Sequence, residues 1–140
     1  MSVLPLFLAL FFSTAPRPAA PQKTNLKVDI QNVRVQTGAV YVAIYRPDNN
    51  FPSGKPLDGK KLPAGAQPVQ TTFSVEPGDY AIAVYHDENG NGKMDKRVFG
   101  IPKEPYGFSN NFRPVMSAPK FSDCKFSVGN SEKAISIKLN

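Results

Sequence analysis

Asp87, Asn89, Asn91 and Asp95 stand at positions one, three, five and nine of a loop whose sixth residue is Gly92. Side-chain oxygens at that spacing can wrap a calcium ion, with a glycine at six to allow the sharp turn and the carbonyl of Lys93 as a further donor at seven. Calcium takes about six to eight oxygens at roughly 2.3–2.6 Å and tolerates irregular geometry. The twelfth position, normally a bidentate acid, is Val98, so Glu88, Glu104, Asp123 or water would have to complete the shell. With only two acids, Asp87 and Asp95, at the ligand positions of the motif, the expected affinity lies near ~10⁻⁴–10⁻³ M. The competing reading is a hairpin loop whose Asn-Gly pairs accept positive φ and whose aspartates bind backbone N–H groups.

His86 is the only histidine, and it lies at a strand end beside Asp87. It can anchor a loop by hydrogen bonding, or act as a general base. No serine sits in a nucleophile elbow and no complete catalytic set is present, so a non-enzymatic reading is preferred. A periplasmic hydrolase using His86 and nearby carboxylates is the enzymatic alternative. A second candidate segment gathers Glu104, Tyr106, Phe108, Ser109, Asn110, Asn111 and Arg113 among prolines and glycines. That mixture suits a polar ligand such as a glycan, held by stacking and hydrogen bonds, or else a packed loop plugging the end of the fold.

The elements that must carry these residues read as β throughout. Leu26, Val28 and Ile30 alternate with Lys27 and Asp29, as in a strand with one wet face. Val33 and Val35 shift the parity, which predicts a bulge near Gln31-Asn32. After a turn at Thr37-Gly38, Ala39–Tyr45 is apolar on both parities and predicts a central strand covered on both faces. Arg46 to Pro68 is a long connection with room for a short edge strand at Lys60-Lys61-Leu62. Val69–Val75 and Asp79–His86 are strands joined by a Pro77-Gly78 turn, the second of them central. Val98–Ile101 can pair briefly, and two last strands, Phe121–Val128 and Lys133–Leu139, are expected to form a hairpin across Gly129-Asn130. The fold class predicted is an all-β, antiparallel Greek-key β-sandwich of about seven strands, immunoglobulin-like. The Pro77-Gly78-Asp79-Tyr80 turn and strand resemble prealbumin-like modules, which implies the same class.

Met1 to Ala15 has the ten-residue apolar run Val3–Phe12 followed by small residues, and it reads as a secretory leader. Cleavage is expected after Ala15, or after Ala20 as second choice; a membrane helix would need about 20 apolar residues. The expected organisation is leader 1–15, proline-rich linker 16–24 and a single domain 25–140, in a secreted or periplasmic protein. The lone Cys124 excludes an internal disulfide, and its parity with Phe126 and Val128 points to a buried small residue. Seventeen basic against eleven acidic residues give a net charge of +6. The basic residues are spread along the chain rather than clustered with interleaved aromatics, which argues against nucleic acid.

His86-Asp87-Glu88-Asn89-Gly90-Asn91-Gly92-Lys93-Met94-Asp95, followed by Phe99-Gly100-Ile101-Pro102-Lys103-Glu104-Pro105-Tyr106-Gly107-Phe108-Ser109-Asn110-Asn111, resembles the signature of a bacterial family of small secreted proteins of unknown function. Tyr41–Tyr45 and Pro77–Tyr85 are similar to that family too. The resemblance implies an exported β-sandwich in the envelope and no particular activity. The partner then expected is an envelope protein, met through an exposed sheet edge, or a polar ligand.

Overall fold

The computed structural model describes residues 13–94 and 102–140. Residues 1–12 of the expected leader, Asp95 and the pairing expected at Val98–Ile101 lie outside the described residues. Residues 13–23 are exposed and without regular structure.

Two sheets face each other. In the first, β1 (Thr24–Gln31) runs between β4 (Val69–Val75) and β8 (Lys133–Lys138), antiparallel to β4 and parallel to β8. In the second, β3 (Asp58–Pro63), β2 (Ala39–Tyr45), β5 (Gly78–Asp87) and β6 (Tyr106–Phe108) form an antiparallel set, with β7 (Phe126–Val128) paired to the start of β5. The protein is thus all-β and sandwich-like, with one four-residue helix, α1 (Phe121–Cys124), among the described residues.

Alternation decides which side chains meet between the sheets. Leu26, Val28 and Ile30 of β1 and Phe73 of β4 face Val40, Val42 and Ile44 of β2 and Tyr80, Ile82 and Val84 of β5. Tyr80 also donates its hydroxyl to the Glu76 carbonyl at 2.7 Å, which closes the Pro77-Gly78 turn where the chain changes sheets. A second apolar cluster covers part of the outer face of the second sheet. There Tyr45, Ala81 and Cys124 pack with Phe51, Phe108, Phe112 and Phe121, which explains why β2 is apolar on both parities.

Three local expectations give way to tertiary structure. The parity shift after β1 is a strand end rather than a bulge: Asn32 takes φ +65° and donates its amide to the Leu139 carbonyl at 2.7 Å. Phe121–Val128 is not one strand, because the Asp123 carboxylate accepts the Lys120 N–H at 2.8 Å and turns residues 121–124 into α1 before β7 begins. Gly129-Asn130 joins no hairpin, since β7 pairs with β5 in one sheet and β8 with β1 in the other.

Cys124 is fully buried, and burial, helped by the neighbouring Asp123 charge, pushes its thiol from 9.0 up to about 12. Native protein at pH 8 is therefore expected to resist thiol reagents, with labelling appearing only as the chain unfolds in denaturant. Rapid stoichiometric labelling of native protein would contradict that placement. Because the folded state holds this proton longer than the unfolded one, the residue's contribution to stability falls as pH rises from 9 towards 12.

Candidate functional site

Asp87 ends β5, on the outer face of its sheet and opposite Ala39. The turn before β2 clamps this end. Thr37 donates its hydroxyl to the Glu88 carbonyl at 3.3 Å, and its own carbonyl accepts the Nε2–H of His86 at 2.7 Å. Gly38, at φ +76°, lies so close that a Cβ there would fall 1.9 Å from the Asp87 carbonyl oxygen.

The loop beyond is a chain of side-chain-to-backbone turns. Asp87 Oδ1 accepts from Asn91 N at 3.2 Å and Oδ2 from Gly92 N at 2.7 Å. Asn89 Oδ1 accepts from Asn91 N at 3.1 Å, and Asn91 Oδ1 from Lys93 N at 2.9 Å. Gly90 and Gly92 take φ +70° and +76°, the left-handed backbone that lets the chain curl around these oxygens. Asp87, Asn89, Asn91 and Lys93 are thus gathered on one curl; Asp95 lies outside the described residues.

Glu104 joins them from a distant part of the sequence. Tyr85 pairs with Tyr106, and the His86 N–H donates to the Pro105 carbonyl at 2.8 Å. The ladder ends there: Glu104 lies in a bend two residues before β6. Both are buried, Asp87 at 1% and Glu104 at 6% exposure. Their charges are felt by the Tyr85 hydroxyl, whose pKa is raised first by burial, then by Tyr41, and then by Asp87 and Glu104. Sequence spacing does not single out Glu104 among the acids available to complete the loop.

His86 points the other way, into the core side of β5, and is fully buried. Because a carbonyl can only accept, the contact with Thr37 puts a proton on Nε2. Nδ1 has no hydrogen-bond partner among the described residues and stands 4.0 Å from Glu88 Oε1.

The remaining residues of the Glu104 to Arg113 segment are turned to internal tasks. Tyr106 lies in β6 against Tyr85, and Phe108 packs edge-on to Phe51 with ring centroids 5.9 Å apart. Buried Ser109 accepts the Ile82 N–H at 2.9 Å and donates to the Cys124 carbonyl at 2.6 Å. Asn110, at φ +61°, donates to the Lys125 carbonyl, and Asn111, at φ +49°, accepts the Lys138 N–H. Arg113 is exposed and lines a hollow of about 10 Å³, the size of one water, together with Lys138. The structure therefore buries Glu104 just ahead of β6 and places Ser109, Asn110 and Asn111 as ties to β5, the end of α1 and β8.

Thr37 and Gly38, which read from the sequence only as a turn, are the buttress of this site. Nothing local marks them, because their partners, His86 and Glu88, are fixed by the β2–β5 register.

The arrangement defines a small two-sheet β protein with an oxygen-rich loop at one end of a central strand. The chain belongs to DUF2141, a family described as an uncharacterized protein conserved in bacteria, whose model matches residues 28–136. No curated protein and no solved structure matches the chain.

Proposed function

We propose that this chain is an exported, non-enzymatic binding or structural module whose loop holds calcium weakly, through Asp87, Asn89, Asn91, the Lys93 carbonyl and Asp95. Glu104 is the acid that takes the part of the missing twelfth ligand. The observation that supports this reading is that Asp87 and Glu104 are both buried and both act on the Tyr85 hydroxyl. The donors around Asp87 are neutral N–H groups, and the site's oxygens are those a hard cation prefers. The export reading rests on the leader-like residues 1–15 and on the resemblance carried by the His86–Asp95 and Phe99–Asn111 segments.

The role of the ion is a clip. Glu104 runs directly into β6 and the Ser109–Asn111 turn, so an ion bridging Asp87 and Glu104 fastens that segment to β5. Thermal melts of the protein from Pro16 onward, in chelator and then in millimolar calcium, test this. At ten times Kd, linkage gives roughly 1.4 kcal/mol of added stability, a rise in Tm of about 4–8 °C. Asp87→Asn and Glu104→Gln should each abolish the rise while magnesium produces little of it. An unchanged Tm at 10 mM calcium, roughly ten times the weakest Kd expected, would end the metal reading.

A further inference from the structure

The connection between the Ser109–Asn111 turn and α1 carries the most exposed large apolar side chains of the described residues. Val115 is 94% and Met116 97% exposed, whereas the next two, Leu57 and Val35, are 42% and 40% exposed. Single exposed apolar residues are ordinary on protein surfaces. An adjacent pair with almost no cover, held out between Pro114 and Pro119, is a different matter. Each proline fixes its own φ, and Pro119 is buried, which anchors the far end of the tip.

The flanks of this tip are basic. Arg113 precedes it and Lys120 follows it, both exposed, and Lys138 shares with Arg113 the small hollow at its foot. The nearest acid in sequence, Asp123, directs its carboxylate to the Lys120 backbone N–H. The chain as a whole carries +6.

We propose that this tip is a membrane-surface contact: Val115 and Met116 enter the outer part of an anionic phospholipid leaflet while Arg113, Lys120 and Lys138 meet its phosphates. Charge complementarity and size favour lipid over a protein partner. A specific protein interface buries upwards of about 1,000 Å², far more than two side chains offer. A bilayer, by contrast, is engaged by a few inserted apolar groups ringed by basic ones. Such a contact is weak, reversible and sensitive to salt.

The chain contains no tryptophan, so Met116→Trp installs a unique reporter at an exposed position. With vesicles of phosphatidylglycerol and phosphatidylcholine, its emission should shift to the blue and be quenched by brominated acyl chains. Pure phosphatidylcholine vesicles, or half-molar salt, should remove most of the effect. Leu57→Trp, on another part of the surface, should show no shift. Co-sedimentation of the otherwise unaltered chain should fall about tenfold or more in Val115→Ser/Met116→Ser, as the lost apolar transfer requires. It should fall again in Arg113→Glu/Lys120→Glu. No blue shift on anionic vesicles, an equal shift for Leu57→Trp, or equal binding to neutral vesicles would each overturn the proposal.

Discussion

Gly38→Ala is expected to cost ~4 kcal/mol or more, a size reserved for clashes or lost networks that the structure cannot absorb. Two separate causes act at this position. The backbone holds φ +76°, which an L side chain adopts only with strain, and the added Cβ would lie 1.9 Å from the Asp87 carbonyl oxygen. The obstacle is backbone, so no rotamer change relieves it; β2 and β5 must part where Ala39 pairs with Asp87. Since small domains hold only about 5–15 kcal/mol of stability, urea denaturation should find this variant close to unfolded. Gly90→Ala separates the causes, because Gly90 takes φ +70° and a Cβ there would meet nothing within 4 Å. It should lose only ~1–2 kcal/mol. Equal losses in the two variants would show that the approach to Asp87 is not what fixes glycine at 38.

Ser109→Ala should lose roughly 2–4 kcal/mol, because one hydroxyl satisfies two buried backbone groups that would both be left unpaired. Its oxygen accepts the Ile82 N–H at 2.9 Å, just past the point where β6 stops pairing with β5 at Phe108–Ala83. Its proton goes to the Cys124 carbonyl at 2.6 Å, at the end of α1. The serine thus stands in for one rung of a strand that is too short, and it binds the helix to the sheet with the same atom. Faster hydrogen exchange at the Ile82 amide, in step with the drop in denaturation midpoint, checks the assignment. A variant within about 0.5 kcal/mol of the parent, the usual scatter of neutral substitutions, or one with Ile82 exchange unchanged, would contradict it.

Much of the fold is legible in the sequence because burial in a sheet has period two. Leu26, Val28 and Ile30 mark the core face of β1, and the two-sided apolar run Ala39–Tyr45 marks a strand that is indeed covered on both faces. Lys60-Lys61-Leu62 likewise falls in the edge strand β3. Strand partners are less legible. Gly129-Asn130 looks like a hairpin turn from its own residues, yet β7 and β8 go to different sheets, where they pair with β5 and β1. A four-residue helix such as α1 is too short to leave a helical period, so only the Asp123 carboxylate reaching back to Lys120 marks it. In the candidate site, the loop's oxygens can be read from spacing alone. That Glu104 is buried just ahead of β6 cannot be, because it depends on the pairing of β6 with β5.

The parallel pairing of β1 with β8 puts the first and last strands of the fold side by side. Leu26, Val28 and Ile30 have no neighbour on that flank until residues 133–138 exist. The sheet is therefore closed by the last of its strands to be made, and no N-terminal portion of the chain can complete it early. A polypeptide built in this order leaves the flank of β1 open until β8 has been made, so the contact between them is among the most distant in sequence that folding must close.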